Sequence, residues 1–128
     1  MTTELTTIDS VLDLSTAMTN MDGDAELLQE IMEIFLETAE DQLQAIENCI
    51  LIGDQGQVAI QAHAMKGGAS NFCAKKFVAS ALALEHLAKG GSLDGAEEKL
   101  AAMRTDLDEV AEVVPTVNWD EVERNWQG

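Results

Sequence analysis

Basic residues are scarce in this 128-residue sequence. Seven Lys and Arg stand against 24 Asp and Glu, which gives a formal net charge of -17 at pH 7. Binding to nucleic acids and to anionic membranes depends on Lys and Arg that neutralise phosphates, so the composition argues against both kinds of partner. The sequence also lacks an apolar run long enough to cross a bilayer and an N-terminal segment of the signal-peptide type.

Proline, tyrosine and cysteine are also rare. One Pro and no Tyr, in a sequence rich in Ala, Leu, Glu and Met, favour helix over sheet. The two cysteines, Cys49 and Cys73, do not have the spacing of metal ligands. They predict a cytoplasmic protein with reduced thiols. The length fits one domain with a single hydrophobic core.

Apolar residues recur at helical spacing along most of the sequence. They predict helices over residues 9–19, 24–52, 55–72 and 75–89, and a last long helix capped by Ser92 and closed by Pro115. Short connections between long amphipathic helices make neighbours antiparallel. The predicted fold is all-α: an antiparallel up-down four-helix bundle with an additional N-terminal helix. It divides into a polar lead-in (1–7), the bundle domain (8–114) and a C-terminal tail with room for one short helix (115–128).

The third predicted helix carries a histidine away from its apolar side. At about 100° per residue, His63 lies about 140° from the middle of the apolar stripe, which consists of Val58, Ala62, Met65, Ala69 and Phe72. A helix side that faces only water normally carries Glu, Lys or Gln. The outer sector around His63 instead holds small or apolar residues and one lysine: Gly56, Ala59, Ile60, Lys66, Gly67 and Ser70.

Gly67 is unusual because glycine within a helix costs about 0.5–1 kcal/mol relative to alanine. It follows His63 by four residues, so it removes the side chain that would lie beside the imidazole. A second macromolecule would then be able to bring a reactive group close to the ring. The Lys66 ammonium is within reach of any anionic group that the ring carries.

The charge pattern singles out the same histidine. Residues 1–62 contain no Lys or Arg, and Lys66 is the first cation of the sequence. From His63 to Lys89 there are four lysines and one acid, Glu85. This pattern predicts a locally positive surface around His63 that complements an acidic partner.

Other interpretations of these residues have less support. A single surface histidine is usually a solvated polar residue, and a mid-helix glycine often serves helix packing. A metal site from His63, His86, Cys73 and a carboxylate is conceivable, but no pair of these residues has ligand spacing on one helix. The many glutamates recur on outer helix faces, as on a solvated surface, and no Gly-rich loop follows a strand. The residues alone therefore indicate an accessible docking site at His63.

The segment from His63 to Ala74 (HAMKGGASNFCA) resembles the motif of the histidine-containing phosphotransfer (HPt) domain family, which begins His-x-x-Lys-Gly. Gly53-Asp54 is similar to the usual turn of the family, and Leu84-Glu85 to its usual pair in the following helix. The resemblance extends from about Ile8 to Val113. One departure is Cys73, which stands where the family usually has Gly, so a left-handed glycine cap is not expected there.

The resemblance implies a phosphorelay carrier without kinase activity. His63 would accept and donate the phosphoryl group, Lys66 would stabilise it, and Gly67, Ala59, Ile60 and Ser70 would give the partner access and a docking surface. The partners would be response-regulator receiver domains, a hybrid sensor histidine kinase, or both. The chain would act as a monomer and hold no metal or cofactor, because Mg²⁺ is expected on the receiver. The alternative is a helical adaptor that docks a receiver or another partner without phosphoryl transfer.

Overall fold

The computed structural model describes residue 8 and residues 10–126. These residues form six α-helices and one short 3-10 helix, Val114–Thr116, and contain no strand. The α-helices are α1 Leu14–Asn20, α2 Ala25–Ile52, α3 Gln55–Ser70, α4 Lys75–Lys89, α5 Ala96–Val113 and α6 Trp119–Asn125. None of the described helices is both long and apolar enough to cross a membrane.

Side-chain caps and a glycine mark both ends of α2 and the start of α3, where the sequence predicted them. The Asp24 carboxylate accepts the amide of Leu27 at the start of α2, and Asp54 accepts that of Gln57 at the start of α3. Between them Gly53 ends α2 in the left-handed conformation, with φ +77°. This compact turn makes α2 and α3 antiparallel neighbours.

Three predicted boundaries differ from the structure. The N-terminal helix is interrupted, because Asp13 caps a separate α1 by accepting the Thr16 amide, and Asp9 lies outside the described residues. Helix α3 ends at Ser70, two residues before the predicted end at Phe72. The prediction that Ser92 caps the last long helix is wrong, because its hydroxyl accepts the Asp94 amide within the preceding loop, and α5 begins after Gly95.

Helices α2 to α5 form a closed four-helix bundle in which each helix packs against its two neighbours. The apolar stripe predicted for α3 is buried along its length. Phe35 connects α2 in the core with the end of α3 and with α4. Its ring meets Phe72, just after α3, and Phe77 of α4 edge-on, at centroid distances of 5.0 and 5.4 Å. Arg104 of α5 reaches Glu40 and Glu47 of α2 and closes the outer side of the α2–α5 pair.

The turn between α3 and α4 keeps a left-handed backbone although it lacks glycine. Cys73 has φ +57°, a conformation that costs a non-glycine residue about 1–2 kcal/mol. The left-handed conformation that glycine usually provides is therefore kept by cysteine at this turn. The Cys73 carbonyl accepts a hydrogen bond from the backbone amide of Asp13 at 3.2 Å, and the Cys73 sulfur lies 3.8 Å from the side-chain amide nitrogen of Asn20. Lys75 adds an ion pair to Asp13 at 3.4 Å, so the N-terminal segment is joined to this turn.

The C-terminal tail packs on the bundle through α6. Trp119, Val122 and Trp126 are partly buried against the core. The Trp126 ring lies on Gly23, where any added Cβ would overlap the ring. Its indole N–H donates to the Thr19 hydroxyl at 3.4 Å. The tail therefore covers the junction between α1 and α2.

Candidate functional site

His63 lies on the solvent side of α3, as the helical wheel predicted. Its side chain is 63% exposed. Ala62 and Met65, which belong to the apolar stripe of the same helix turn, are buried. One ring nitrogen, Nδ1, lies 2.9 Å from Oε2 of Glu85 on α4. The other, Nε2, forms no hydrogen bond within the described residues.

Glu85 is the centre of the polar contacts around this ring. Its side chain is only 3% exposed, and its two oxygens meet three cationic or potentially cationic groups. Oε1 lies 2.9 Å from the Lys66 ammonium, and Oε2 lies 2.8 Å from the Lys89 ammonium and 2.9 Å from His63. A buried carboxylate is stable only with such partners.

These partners hold Glu85 in its ionised form. Hydrogen bonds from Lys89 and Lys66 lower the pKa of the Glu85 carboxyl from 4.5 to about 2, with a smaller contribution from His63 and against the opposing effect of burial. An ionised carboxylate can only accept hydrogen bonds. In the neutral imidazole, Nδ1 is therefore the nitrogen that carries the proton and donates a hydrogen bond to Glu85, which leaves the lone pair on Nε2.

Three residues predicted near His63 lie on the exposed surface. Ile60 is 61% exposed, and Ser70 is exposed with its hydroxyl bonded to the Lys66 carbonyl at 2.8 Å. At Gly67 an added Cβ would have no heavy atom within 4 Å, so the space beside His63 is open. The part of the surface that Ile60, Gly67 and Ser70 form next to the ring is therefore low and uncharged.

The prediction that Ala59 lies on this outer surface is wrong, because Ala59 is only 8% exposed. On the wheel it lies about 100° from the middle of the apolar stripe, close to Lys66 at about 80°. The bond from Lys66 to Glu85 shows that α4 covers this flank of α3. Ala59 therefore contributes to the packing of α3 and not to the exposed face.

The predicted positive surface around His63 is smaller than the sequence count indicated. Lys75 pairs with Asp13, and Lys76 pairs with Glu109 of α5 at 3.5 Å, so these two lysines lie in other contacts. Lys66 and Lys89 are the lysines that share a carboxylate with His63. Their side chains are 23% and 62% exposed. With Glu85 they leave one net positive charge beside the ring.

The sequence reasoning missed the role of Glu85, which it counted only as the one acid in a basic stretch. A signal was present: Glu85 follows the buried Ala81 by four residues and precedes the buried Ala88 by three, so it lies on the apolar stripe of α4. An acid on an apolar stripe is rarely buried unless it is paired. Lys89, four residues later, is in the favourable helical orientation for that pairing.

The alternative metal site is not assembled in the structure. The described residues contain no group of three or more His, Cys, Asp and Glu side chains placed to hold a metal ion. His86 is exposed on α4. Cys73 lies in the α3–α4 turn, beside Asn20.

The lowered pKa of Glu85 predicts a specific dependence of stability on pH. Below pH 4.5 the unfolded chain protonates Glu85 while the folded chain does not, so acid favours unfolding. The stabilisation by this carboxylate is complete above pH 4.5 and is lost as the pH falls towards 2. In denaturant titrations from pH 6 to pH 2, the difference in unfolding free energy between the parent and Glu85→Gln should shrink over this window. A constant difference would contradict the prediction, with Glu112→Gln as the control for loss of an exposed acid.

Comparisons with known proteins give the family of the chain. The structure is similar to that of a rice protein described as a histidine-containing phosphotransfer protein, with 20% identity, a TM-score of 0.75, and coverage of 96% of this chain and 90% of that one. It is also similar to histidine-containing phosphotransfer protein B of Pseudomonas aeruginosa PAO1, with 22% identity, a TM-score of 0.70, and coverage of 91% and 96%.

At these identities the structural likeness concerns the fold. A comparison with curated protein sequences found no match. The family model of the Hpt domain matches residues 30–113, which is more than half of the chain and includes His63, Lys66 and Glu85. The chain therefore belongs to the Hpt domain family, whose members have a phosphotransfer role in phosphorelays.

Proposed function

We propose that this chain is a phosphorelay carrier that holds the phosphoryl group on Nε2 of His63. One observation supports this most directly: the ring is exposed, and its Nδ1 lies 2.9 Å from a buried carboxylate, which can only accept a hydrogen bond. The nitrogen that can attack an electrophile is therefore fixed as Nε2. A ring held in this way does not exchange its two nitrogens, so a single phosphohistidine isomer is expected.

The proposed transfer takes place between this chain and a phosphorylated receiver domain, and needs no third protein. The Nε2 lone pair attacks the phosphorus of an aspartyl phosphate on a receiver domain, the N–P bond forms, and the acyl O–P bond breaks to release the aspartate carboxylate. The proton on Nδ1 stays in place, so the phosphorylated ring gains positive charge next to the Glu85 carboxylate. In the reverse direction a receiver aspartate attacks phosphorus and the ring nitrogen leaves.

Lys66 and Lys89 would stabilise the transferred group. Both ammonium groups already lie within 2.9 Å of the carboxylate that holds the ring, and together they exceed its charge by one. Hpt domains are carriers rather than kinases. The remaining catalytic groups, including Mg²⁺, would belong to the receiver, and we propose that the chain itself needs no cofactor.

The face around His63 would dock the receiver. Gly67 leaves the approach to the ring open, and Ile60 and Ser70 provide exposed, uncharged surface on either side. The partners under this proposal are response-regulator receiver domains and a hybrid sensor histidine kinase. The carrier would act as a monomer, because transfer requires this face to be free. Its proposed location is the cytoplasm.

Labelling from a phosphorylated receiver tests the proposal. The parent should acquire an acid-labile, alkali-stable phosphate, as expected for phosphohistidine. His63→Gln should acquire none. His86→Gln removes the other histidine of the sequence, also exposed and helical, and should be labelled like the parent.

Two outcomes would contradict the carrier function. Equal labelling of His63→Gln and the parent would show that His63 is not the acceptor. A parent that binds receivers but takes up no label from any of them would favour the adaptor function, in which the same face docks a partner without chemistry.

Substitution of Gly67 should separate transfer from stability. Because the position is open, Gly67→Leu should keep the fold and gain about 1 kcal/mol of helix propensity. The added side chain would hold the receiver away from the ring, and transfer should slow by roughly a hundredfold. Gly67→Ala should have a smaller effect, and Gly56→Leu, about three turns away on the same helix, serves as the control. Transfer at the parental rate in Gly67→Leu would refute the access argument.

Removal of the two lysines tests the proposed electrostatic stabilisation. Lys66→Ala should slow transfer or shorten the lifetime of the phosphorylated form by roughly tenfold to a hundredfold, because hydrogen bonds to charged groups contribute about 1.5–3 kcal/mol. Lys89→Ala should have a smaller effect, because the Lys89 side chain is 62% exposed. Lys89→Arg, which keeps the charge, should retain most of the parental transfer rate. Lys76→Ala, on the same helix but paired with Glu109, is the control. Time courses identical to that of this control would count against the role.

A further inference from the structure

A shallow apolar groove lies between α2 and α3, next to the face that carries His63. Its volume is about 220 Å³. Gly68 forms part of the α3 wall, and a Cβ there would already touch the Phe35 ring at 3.4 Å. The residues that line it carry no charge: Ile31, Ile34, Phe35, Thr38, Gln42, Ala64, Met65, Gly68 and Asn71.

The α2 edge of this groove is both apolar and acidic. Ile34 is 53% exposed, a large fraction for an isoleucine. Glu30 precedes it by four residues, Glu37 follows it by three and Asp41 by seven, so all three exposed acids lie on the same side of α2 as Ile34. We call Glu30, Glu37 and Asp41 the acidic edge.

The acidic edge lacks compensating charge. Arg104 pairs with Glu40 and Glu47, which lie on the side of α2 that faces α5. In the part of the chain that the structure describes, no Lys or Arg forms an ion pair with Glu30, Glu37 or Asp41. These three charges are therefore available to a partner.

The opposite edge of the same face is positive. Lys66 and Lys89 lie beside His63 on the α4 side, with one net positive charge after Glu85 is counted. Apart from Lys66 and His63, α3 has no basic or acidic residue between these edges. Packed helices are about 8–10 Å apart, so the sign of the surface charge changes across roughly two helix widths.

We infer that this face selects receivers with the complementary charge pattern, a statement that rests on the proposed function. The partner would place an apolar ridge in the groove against Ile34 and carry Lys or Arg on the flank of that ridge that faces the acidic edge. Its acidic phosphoacceptor pocket would lie over Lys66 and Lys89. A receiver rotated by half a turn would place like charges together on both edges, so the pattern fixes one docking orientation.

Charge reversal with a matched control tests this inference. Glu37→Lys with Asp41→Lys reverses two charges of the acidic edge at a spacing of four residues. Asp108→Lys with Glu112→Lys makes the same charge change at the same spacing on exposed positions of α5, which is diagonally opposite α3 in the bundle. The receiver is the one from the source organism that, when phosphorylated, labels the parent fastest. The probe is its unphosphorylated form, and its association rate is measured at several salt concentrations.

The acidic-edge variant should associate at least about tenfold more slowly at low salt, and its rate should depend less on salt than that of the parent. The α5 variant should behave like the parent or associate faster with an acidic receiver. Exchange of the receiver's Lys or Arg for Glu on the facing flank should restore fast association to the acidic-edge variant only.

Failure of this inference is distinguishable from failure of the carrier function. If the two charge-reversal variants associate alike with a receiver that labels the parent, the orienting role of the acidic edge is refuted and the carrier function stands. If a receiver binds with the expected charge dependence but His63 takes up no phosphate, the docking inference stands and the carrier function is refuted. If no receiver labels or binds the parent, both are refuted.

Discussion

The Glu85 carboxylate, buried between α3 and α4, is the interaction on which the geometry of the candidate site depends. Its burial would be strongly unfavourable without the three groups that surround it, and those groups would repel one another without it. The arrangement fixes the ring of His63, the proton on Nδ1 and the positions of two ammonium groups. One side chain on α4 thus sets the orientation and the electrostatic environment of a residue on α3.

The helices could be predicted from sequence because their determinants are local. Apolar periodicity gave α2 and α4 to within a residue. Asp24 and Gly53 marked the ends of α2, and Asp54 the start of α3, through contacts that span only a few residues. The errors lie where a local signal has two uses. Asp13 looked like a helical residue but is a cap, and Ser92 looked like a cap but belongs to a loop.

The site itself was predictable only in part. Exposure of His63 and the open space at Gly67 follow from the angle of each residue around one helix, which the sequence determines. The burial of Ala59 and the partners of the lysines depend on which flank of α3 is covered by α4. That is a property of the packed bundle, so counting charges along the chain overestimated the basic surface around His63.

The contacts at the α3–α4 turn have a mechanical consequence for a site ten residues away. A helix rises about 1.5 Å per residue, so a slip of one residue between α3 and α4 would shift Glu85 by about that distance relative to His63. A hydrogen bond of 2.9 Å does not survive such a shift. The register of the two helices is set at the turn that joins them, where the Asp13 amide donates to the Cys73 carbonyl and the Asp13 carboxylate pairs with Lys75. The N-terminal segment is therefore attached at the point from which the alignment of Glu85 with the imidazole is measured.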